Sequence, residues 1–554
     1  MNISALQKAR AQYQPKLPKS LKGNVIVKEG NPTESVADQT EIKKLFPETY
    51  GMPVVTFEEG GENKKYAPMN VGVILSGGQA PGGHNVISGI FDGIKKLNPD
   101  SKLYGFLGGP GGMVKHNYCE ITADFLAEYR NTGGFDIIGS GRTKLETEEQ
   151  FEKSLVILKK LNIRAVVIIG GDDSNTNACV LAEYYASKKA GIQVLGCPKT
   201  IDGDLKNDMI ETSFGFDTAV KVYSELIGNI ERDANSAKKY WHFVKLMGRS
   251  ASHIGLEAAL ETHPNITLIS EEVAAKKLTL NEIVDDMAAV IAKRADNGNN
   301  FGVALIPEGL VEFIPEMKTL ISELNDVLAD GTENGEKFKT IKNEKERNKF
   351  LIGVLSEKSA ALYAFLPERI SSELTLERDP HGNVQVSLIE TEKLLGDLLK
   401  DKLSKMKAEG KFSGKFKTQY HFFGYEGRCA APSNFDADYC YSLGCTASNL
   451  VSAGKTGYMA IVRNTIAPAE QWIAGGVPIT MMMNMEKRNG NMKPVIRKAL
   501  VELDGAPFKY FSEKRDEWAI ETSFVYPGPI QYWGPSEVCD RTTVTLQLEQ
   551  KNKK

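Results

Sequence analysis

The stretch Ala165-Val166-Val167-Ile168-Ile169-Gly170-Gly171-Asp172-Asp173-Ser174 reads as a buried strand that ends in glycines and carboxylates. A second segment repeats the arrangement: Gln193-Val194-Leu195 leads to Pro198-Lys199-Thr200-Ile201-Asp202-Gly203-Asp204. Open α/β sheets bind ligands just outside the carboxyl ends of their strands. Glycine lets a phosphate approach the main chain closely, and a carboxylate can hold Mg2+ or accept a proton. Together the two segments point to an α/β fold that transfers a phosphoryl group to a hydroxyl.

The same pattern extends outward. Asn70-Val71-Gly72-Val73-Ile74-Leu75 is a strand, and Val86, Ile87, Ile90, Phe91 and Ile94 then recur at helical spacing. Strand-loop-helix units continue to about residue 265, and their strands are apolar throughout, as in a parallel sheet covered on both faces. Between the first strand and its helix, Gly77-Gly78 and Gly82-Gly83 flank Pro81. A glycine-rich turn at a helix start leaves backbone N–H groups free to face an anion, although a simple tight turn has the same composition. The dinucleotide fingerprint G-x-G-x-x-G is absent there, because the first two glycines are adjacent.

Helix capping accounts for one of Asp172, Asp173 and Ser174. Two carboxylates behind two glycines exceed what a cap needs, so metal coordination by one of them is the sharper reading. Lys199, Asp202 and Asp204 follow a strand, which sets a cation beside carboxylates rather than on a solvated turn. Three later strands end similarly. Phe243–Leu246 leads to Met247-Gly248-Arg249, Phe301–Ile306 to Pro307-Glu308-Gly309, and Tyr420–Phe423 to Tyr425-Glu426-Gly427-Arg428. Guanidinium groups for phosphate and a carboxylate for hydroxyls suit a sugar phosphate.

Residues 1–68 are polar and interrupted by Pro15, Pro18, Pro32, Pro47 and Pro53, which predicts a surface extension with little helix. Residues 317–420 carry helical periodicity and many charges, as in Leu320–Leu328 and Leu394-Leu395 with Leu398-Leu399, and predict a helical insertion. The small residues of Cys445–Ala453 predict a helix packed closely on a sheet. Gly454-Lys455-Thr456 imitates the end of a Walker A loop, but Asn449 stands where that motif needs glycine. The 554 residues carry 71 acidic and 68 basic side chains, so neither nucleic acid nor an anionic membrane is an expected partner. The seven cysteines, Cys119, Cys179, Cys197, Cys429, Cys440, Cys445 and Cys539, show no CxxC spacing. That usage fits a reducing compartment, and no apolar run approaches the ~18 residues of a membrane span. A soluble cytoplasmic protein is expected.

In chain order, GGQAPGG (77–83), GSGRT (139–143), GGDDS (170–174), PKTIDGD (198–204), MGR (247–249), PEG (307–309) and GYEGR (424–428) resemble the phosphofructokinase family. Within it the chain is most similar to the long-form pyrophosphate-dependent branch. The resemblance implies two Rossmann-like three-layer α/β domains with parallel-sheet cores. Residues 69–215 plus 427–485 would bind diphosphate and Mg2+. Residues 216–316 plus 421–426 and 486–554 would bind fructose 6-phosphate, with residues 1–68 as an extension and 317–420 as the insertion. The implied reaction is reversible, Mg2+-dependent transfer from diphosphate to the C1 hydroxyl of fructose 6-phosphate, giving fructose 1,6-bisphosphate and phosphate.

The implied roles follow the motifs. Gly77 and Gly78 bind diphosphate and Asp172 holds Mg2+. Asp202 is the proton acceptor, Asp204 its supporting carboxylate, and Arg142 a phosphate contact. Asp173 and Lys199 act in catalysis and donor choice. Thr200, Ile201, Asp202, Met247, Gly248, Arg249, Glu308, Tyr425, Glu426, Gly427 and Arg428 bind the sugar phosphate. Lys239 and Tyr240 reach it from a neighbouring subunit, which implies a homo-oligomer. The alternative is an ATP-dependent phosphofructokinase, but that branch has glycine where Asp173 and Lys199 stand. A non-catalytic relative would lack the GGDD or TIDGD carboxylates, and an NAD-dependent oxidoreductase would need the dinucleotide fingerprint.

Overall fold

The apolar runs become the central strands of two sheets in a computed structural model, which describes residues 4–61, 64–329, 331–375, 384, 388–488, 491–530, 537 and 540–551. In chain order the strands are β1 (Val25–Pro32), β2 (Pro53–Glu59), β3 (Asn70–Leu75), β4 (Lys102–Phe106), β5 (Tyr118–Ile121), β6 (Ile163–Gly170), β7 (Gln193–Pro198) and β8 (Trp241–Leu246). They continue as β9 (Ile266–Thr267), β10 (Gly302–Pro307), β11 (Thr418–Phe423), β12 (Tyr458–Arg463), β13 (Ile473–Pro478), β14 (Met483–Arg488) and β15 (Asn491–Ile496). A nine-stranded sheet runs β1-β2-β13-β12-β7-β6-β3-β4-β5, a four-stranded sheet runs β11-β8-β10-β9, and β14 and β15 form a ribbon.

The chain divides into two compact units. The first comprises Met1–Val222, Tyr425–Ala499 and Ile530–Lys554, and the second comprises Tyr223–Gly424 and Leu500–Pro529. These limits differ from the sequence boundaries, most of all in three places. The extension 1–68 lies inside the first unit, the insertion 317–420 inside the second, and the expected tract 486–554 is divided between the two.

In the first unit β12, β7, β6, β3 and β4 are mutually parallel. Val71, Val73, Val166, Val167, Val194 and Leu195 are fully buried, because helices cover both faces of such a sheet. Burying each side chain of this kind contributes about 1.5–3 kcal/mol. The edges are antiparallel: β4 with β5 on one side, and β12-β13-β2-β1 on the other. The extension therefore does more than cover a surface. Val55 and Phe57 alternate inward along β2, and Ile42 and Phe46 join the core. Its pairing with β13 depends on Gly475, where a Cβ would fall 2.1 Å from the Val55 carbonyl oxygen.

The helix Asn434–Ser452 contains the predicted small-residue stretch. It packs on β12 and β13, but its closest approach is to the helix Gly83–Leu97. A Cβ on Gly444 would lie 2.2 Å from the Val86 carbonyl oxygen. Gly454 follows the end of this helix and Thr456 caps the Val194 amide, so the Walker-like triplet stops a helix instead of starting one.

In the second unit β8, β10, β9 and β11 are all parallel, and every residue of β8 and β10 is buried. The insertion is helical, with Pro315–Val327, Glu344–Val354 and Thr391–Ala408 among its segments. Leu320, Leu324, Leu394, Leu395 and Leu399 share one apolar cluster with Trp241, Phe243 and Ile306 of the sheet. That shared core is why the insertion belongs to this unit. Among the described residues no helix is long and apolar enough to cross a membrane. Six free cysteines are described, and Cys539 lies outside the described residues.

Candidate active site

Strand register aligns the signature loops of the first unit. Leu75 pairs with Ile169, and Gly170 pairs with Pro198. The loops after β3, β6 and β7 therefore leave the sheet at one level. After β3 the chain places β4 on one side and β6 on the other, which makes this gap a switch point where open α/β sheets bind ligands.

The Gly77–Gly83 loop is held by the neighbouring GSGRT loop. The Gly77 amide donates to the Gly141 carbonyl at 3.0 Å, and Ser140 Oγ donates to the Gly77 carbonyl. Gly77 has φ +84°, a conformation that favours glycine. A Cβ on Gly77 would lie 3.5 Å from Lys199 Nζ, so the lysine reaches directly over this loop. Gly78 faces Arg428: a Cβ there would meet Nη2 at 2.5 Å. Ser174 Oγ donates to Ser76 Oγ at 2.8 Å, tying the GGDDS turn to β3.

The carboxylates divide into distinct environments. Asp172 and Asp173 open the helix Asp172–Ser187, where the N-terminal dipole favours negative charge. The N-cap position is Gly171, so neither aspartate nor Ser174 is the N-cap residue that the sequence reading expects; both aspartates lie in the first turn. Asp172 Oδ2 is buried and makes no hydrogen bond. Burial raises the Asp172 pKa, against the opposing pull of Lys498. Among the described residues no three His, Cys, Asp or Glu side chains gather as a metal cage. Mg2+ commonly takes only one or two carboxylates plus phosphate oxygens and water, and the unbonded Asp172 oxygen suits that mode.

Asp173 is different: its side chain is 49% exposed and pairs with Lys144 Nζ at 3.2 Å. Lys199 is buried, and burial together with the Arg428 guanidinium pushes its pKa down to about 8. Asp202, Asp172 and Asp204 pull the other way. Thr200 Oγ1 accepts the Asp202 amide at 3.1 Å, which shapes the turn carrying Asp202. Ile201 is buried in the core, so its side chain anchors the loop that carries Asp202. Asp436 fastens the far side of this segment by accepting from the Gly215 and Thr218 amides at 3.1 and 2.9 Å.

The first unit thus brings together Gly77, Gly78, Asp172, Lys199, Asp202, Asp204 and Arg428. Arg142 lies exposed on the loop that braces Gly77. The segment Tyr425–Arg428 is a short helix of this unit, with Tyr425 69% exposed, Glu426 exposed and Gly427 buried. Sequence boundaries had assigned Tyr425 and Glu426 to the other domain; the unit limit falls after Gly424.

The second unit gathers its own set. Pro307 and Phe423 flank Leu246 in register, so the loops after β10, β8 and β11 also start level. The Gly248 amide donates to Glu308 Oε2 at 3.2 Å, and the Met247 amide to the Phe423 carbonyl at 3.0 Å. Met247 and Glu308 are buried, and Arg249 is exposed. Lys239 and Tyr240 precede β8, at the opposite end of a six-residue strand. That separates them from Met247 by about 20 Å.

Two site residues escaped the sequence reading. Lys144 follows GSGRT immediately, and that adjacency was its only signal. Lys498 lies in Arg497-Lys498-Ala499, which reads as an ordinary basic surface. Its Nζ stands 3.6 Å from Asp172 Oδ2 and 3.4 Å from Asp204 Oδ2. Burial opposes its charge, but Asp172, Asp204, Asp202 and Asp173 outweigh that and raise its pKa.

The family model for phosphofructokinase matches residues 70–451. The pyrophosphate–fructose 6-phosphate 1-phosphotransferase of Porphyromonas gingivalis is 62% identical over 553 residues, covering 100% of both chains. The protein of the same name from Treponema pallidum is 54% identical over 561 residues, covering 99% of this chain and 97% of its own. A crystal structure of a pyrophosphate-dependent phosphofructokinase from Marinobacter aquaeolei superposes with a TM-score of 0.53 at 16% identity, over 82% of this chain and 93% of that one. At that identity the structural likeness speaks for the fold alone. The chain belongs to the phosphofructokinase family.

Proposed function

We propose that the chain reversibly transfers a phosphoryl group from diphosphate to the C1 hydroxyl of fructose 6-phosphate, giving fructose 1,6-bisphosphate and phosphate. The observation that carries this reading is the meeting of Gly77, Gly78, Lys199, Asp172, Asp202 and Asp204 at the ends of β3, β6 and β7. Full-length relatives at 62% and 54% identity bear the name of that activity and support it.

Phosphoryl transfer asks a protein mainly for alignment and charge neutralisation. The Gly78 backbone N–H, on the loop that the Gly77–Gly141 hydrogen bond braces, would receive the diphosphate with Lys199 and Arg142. Mg2+ held by Asp172 would supply further neutralisation of its oxygens. Asp202 takes the proton of the C1 hydroxyl as its oxygen attacks phosphorus, and Asp204 supports that carboxylate. For the sugar phosphate, Arg249 is assigned to the phosphate and Glu308 to hydroxyls, with Met247 and Gly248 shaping the turn. On the first unit Thr200, Ile201, Tyr425, Glu426, Gly427 and Arg428 carry the same assignment.

Lys239 is exposed and Tyr240 half-buried, a strand's length from Met247, which supports a role in a neighbouring subunit's site and a homo-oligomer. The scattered free cysteines fit a cytoplasmic setting. The test supplies purified protein with fructose 6-phosphate, Mg2+ and either diphosphate or ATP. Fructose 1,6-bisphosphate should form with diphosphate and the reaction should run backwards from phosphate. Equal use of ATP would overturn the donor assignment.

A further inference from the structure

Lys498 lies outside every motif behind the functional reading, yet its main chain is built into the site. The Ile496 amide donates to Thr176 Oγ1 at 3.2 Å, on the helix that begins with Asp172. The Ala499 amide donates to the Asp204 carbonyl at 2.8 Å. The segment is therefore fixed against both elements whose carboxylates its ammonium faces. Nζ distances of 3.6 Å to Asp172 and 3.4 Å to Asp204 are too long for good N–H···O bonds but close enough for strong charge attraction. Asp172 Oδ2 keeps its lone pairs unused.

We propose that Lys498 is a positioning residue, a tethered counter-cation that holds Asp172 and Asp204 side by side and competes with the divalent cation for Asp172. This inference rests on Asp172 being the metal carboxylate. Without Lys498 only Lys199 offsets the repulsion between the two carboxylates, and the tie between the loop carrying Asp204 and the helix carrying Asp172 weakens. With it, a fixed positive charge stands beside the oxygen that a metal must use. A divalent cation arriving alone meets that repulsion. Arriving with diphosphate, it brings a polyanion to which the same ammonium is attracted. Lys498 therefore favours entry of metal and diphosphate together over metal alone.

The test titrates Mn2+ into the full-length protein without diphosphate, read by loss of the free-ion EPR signal, beside steady-state turnover. Lys498→Met should bind Mn2+ about tenfold more tightly than wild type, because a like charge at this range has been removed. Its kcat with diphosphate should fall by about tenfold or more, as for loss of one preorganised cation. Lys498→Arg, which keeps the charge, should hold Mn2+ within about threefold of wild type. Lys498→Gln repeats the neutral test if Lys498→Met folds poorly. Unchanged or weaker Mn2+ binding in both neutral variants, while Asp172→Asn abolishes it, overturns the role of Lys498 and leaves the metal site standing. Equal tightening by arginine and methionine overturns it too. Persistence of Mn2+ binding in Asp172→Asn overturns the metal assignment and this inference together.

Discussion

Replacing Asp173 with glycine tests whether this carboxylate selects the phosphoryl donor. On the proposed reading, Asp173 would repel the α-phosphate of ATP, a group that diphosphate lacks. Two unit charges ~5 Å apart repel by about 3 kcal/mol at an effective dielectric of ~20. The structure lowers that figure. Asp173 is half exposed, and Lys144 neutralises part of its charge from 3.2 Å. In that setting the repulsion amounts to about 1–2 kcal/mol, or roughly five- to thirtyfold in kcat/KM. The assay measures kcat/KM for diphosphate and for ATP at saturating fructose 6-phosphate, in wild type, Asp173→Gly and Lys144→Met. Asp173→Gly should raise the ATP-to-diphosphate ratio by that factor. Lys144→Met should lower it, since Asp173 then loses the neutralisation that Lys144 supplies. Because the pair is exposed, added salt should shrink both effects. A wild type that already prefers ATP, or an Asp173→Gly ratio that stays put, would refute the reasoning.

Asp202→Asn keeps the turn made by Thr200 but removes the proposed proton acceptor; turnover should drop ~10²–10⁴-fold in both directions with modest change in KM, and near-normal turnover would move the base elsewhere. Gly78→Ala places a Cβ 2.5 Å from Arg428 Nη2, so the guanidinium must shift by about 1 Å. A displacement of that size costs about 10²-fold in kcat/KM, and because a flexible end moves, the melting temperature should change little. Unchanged kcat/KM would show that Arg428 is not a substrate contact. Lys199, pushed down to about 8 by burial and then by Arg428, carries its charge below that pH and loses it above. The kcat/KM for diphosphate should therefore fall as pH rises through about 8, and Lys199→Arg should remove that limb; a profile flat well beyond that value would exclude Lys199 as the titrating group. Mixing Asp202→Asn chains with Lys239→Ala chains should restore some activity through hybrid sites, whereas simple averaging despite proven subunit exchange would confine each site to one chain.

The sequence by itself determined the strand-loop-helix order and the residues at the strand ends. Those features are local: an apolar run such as Ala165–Ile169 and the glycines and aspartates after it lie next to one another in the chain, so their spacing alone places Asp172 at a carboxyl end. Tertiary structure decided what meets there. Gly170 levels with Pro198 through sheet register, Lys498 reaches Asp172 from more than three hundred residues away, and Lys144 covers Asp173 through loop packing. The extension escaped for the same reason. The strand around Val55 is only half-buried, and its partner, Gly475-Gly476, lies far along the chain. Nor could helical periodicity say which sheet the leucines of 317–420 would cover. A periodic pattern states which face of an element seeks burial; the partner that buries it is chosen by register, shape and charge, which exist only once distant segments have met.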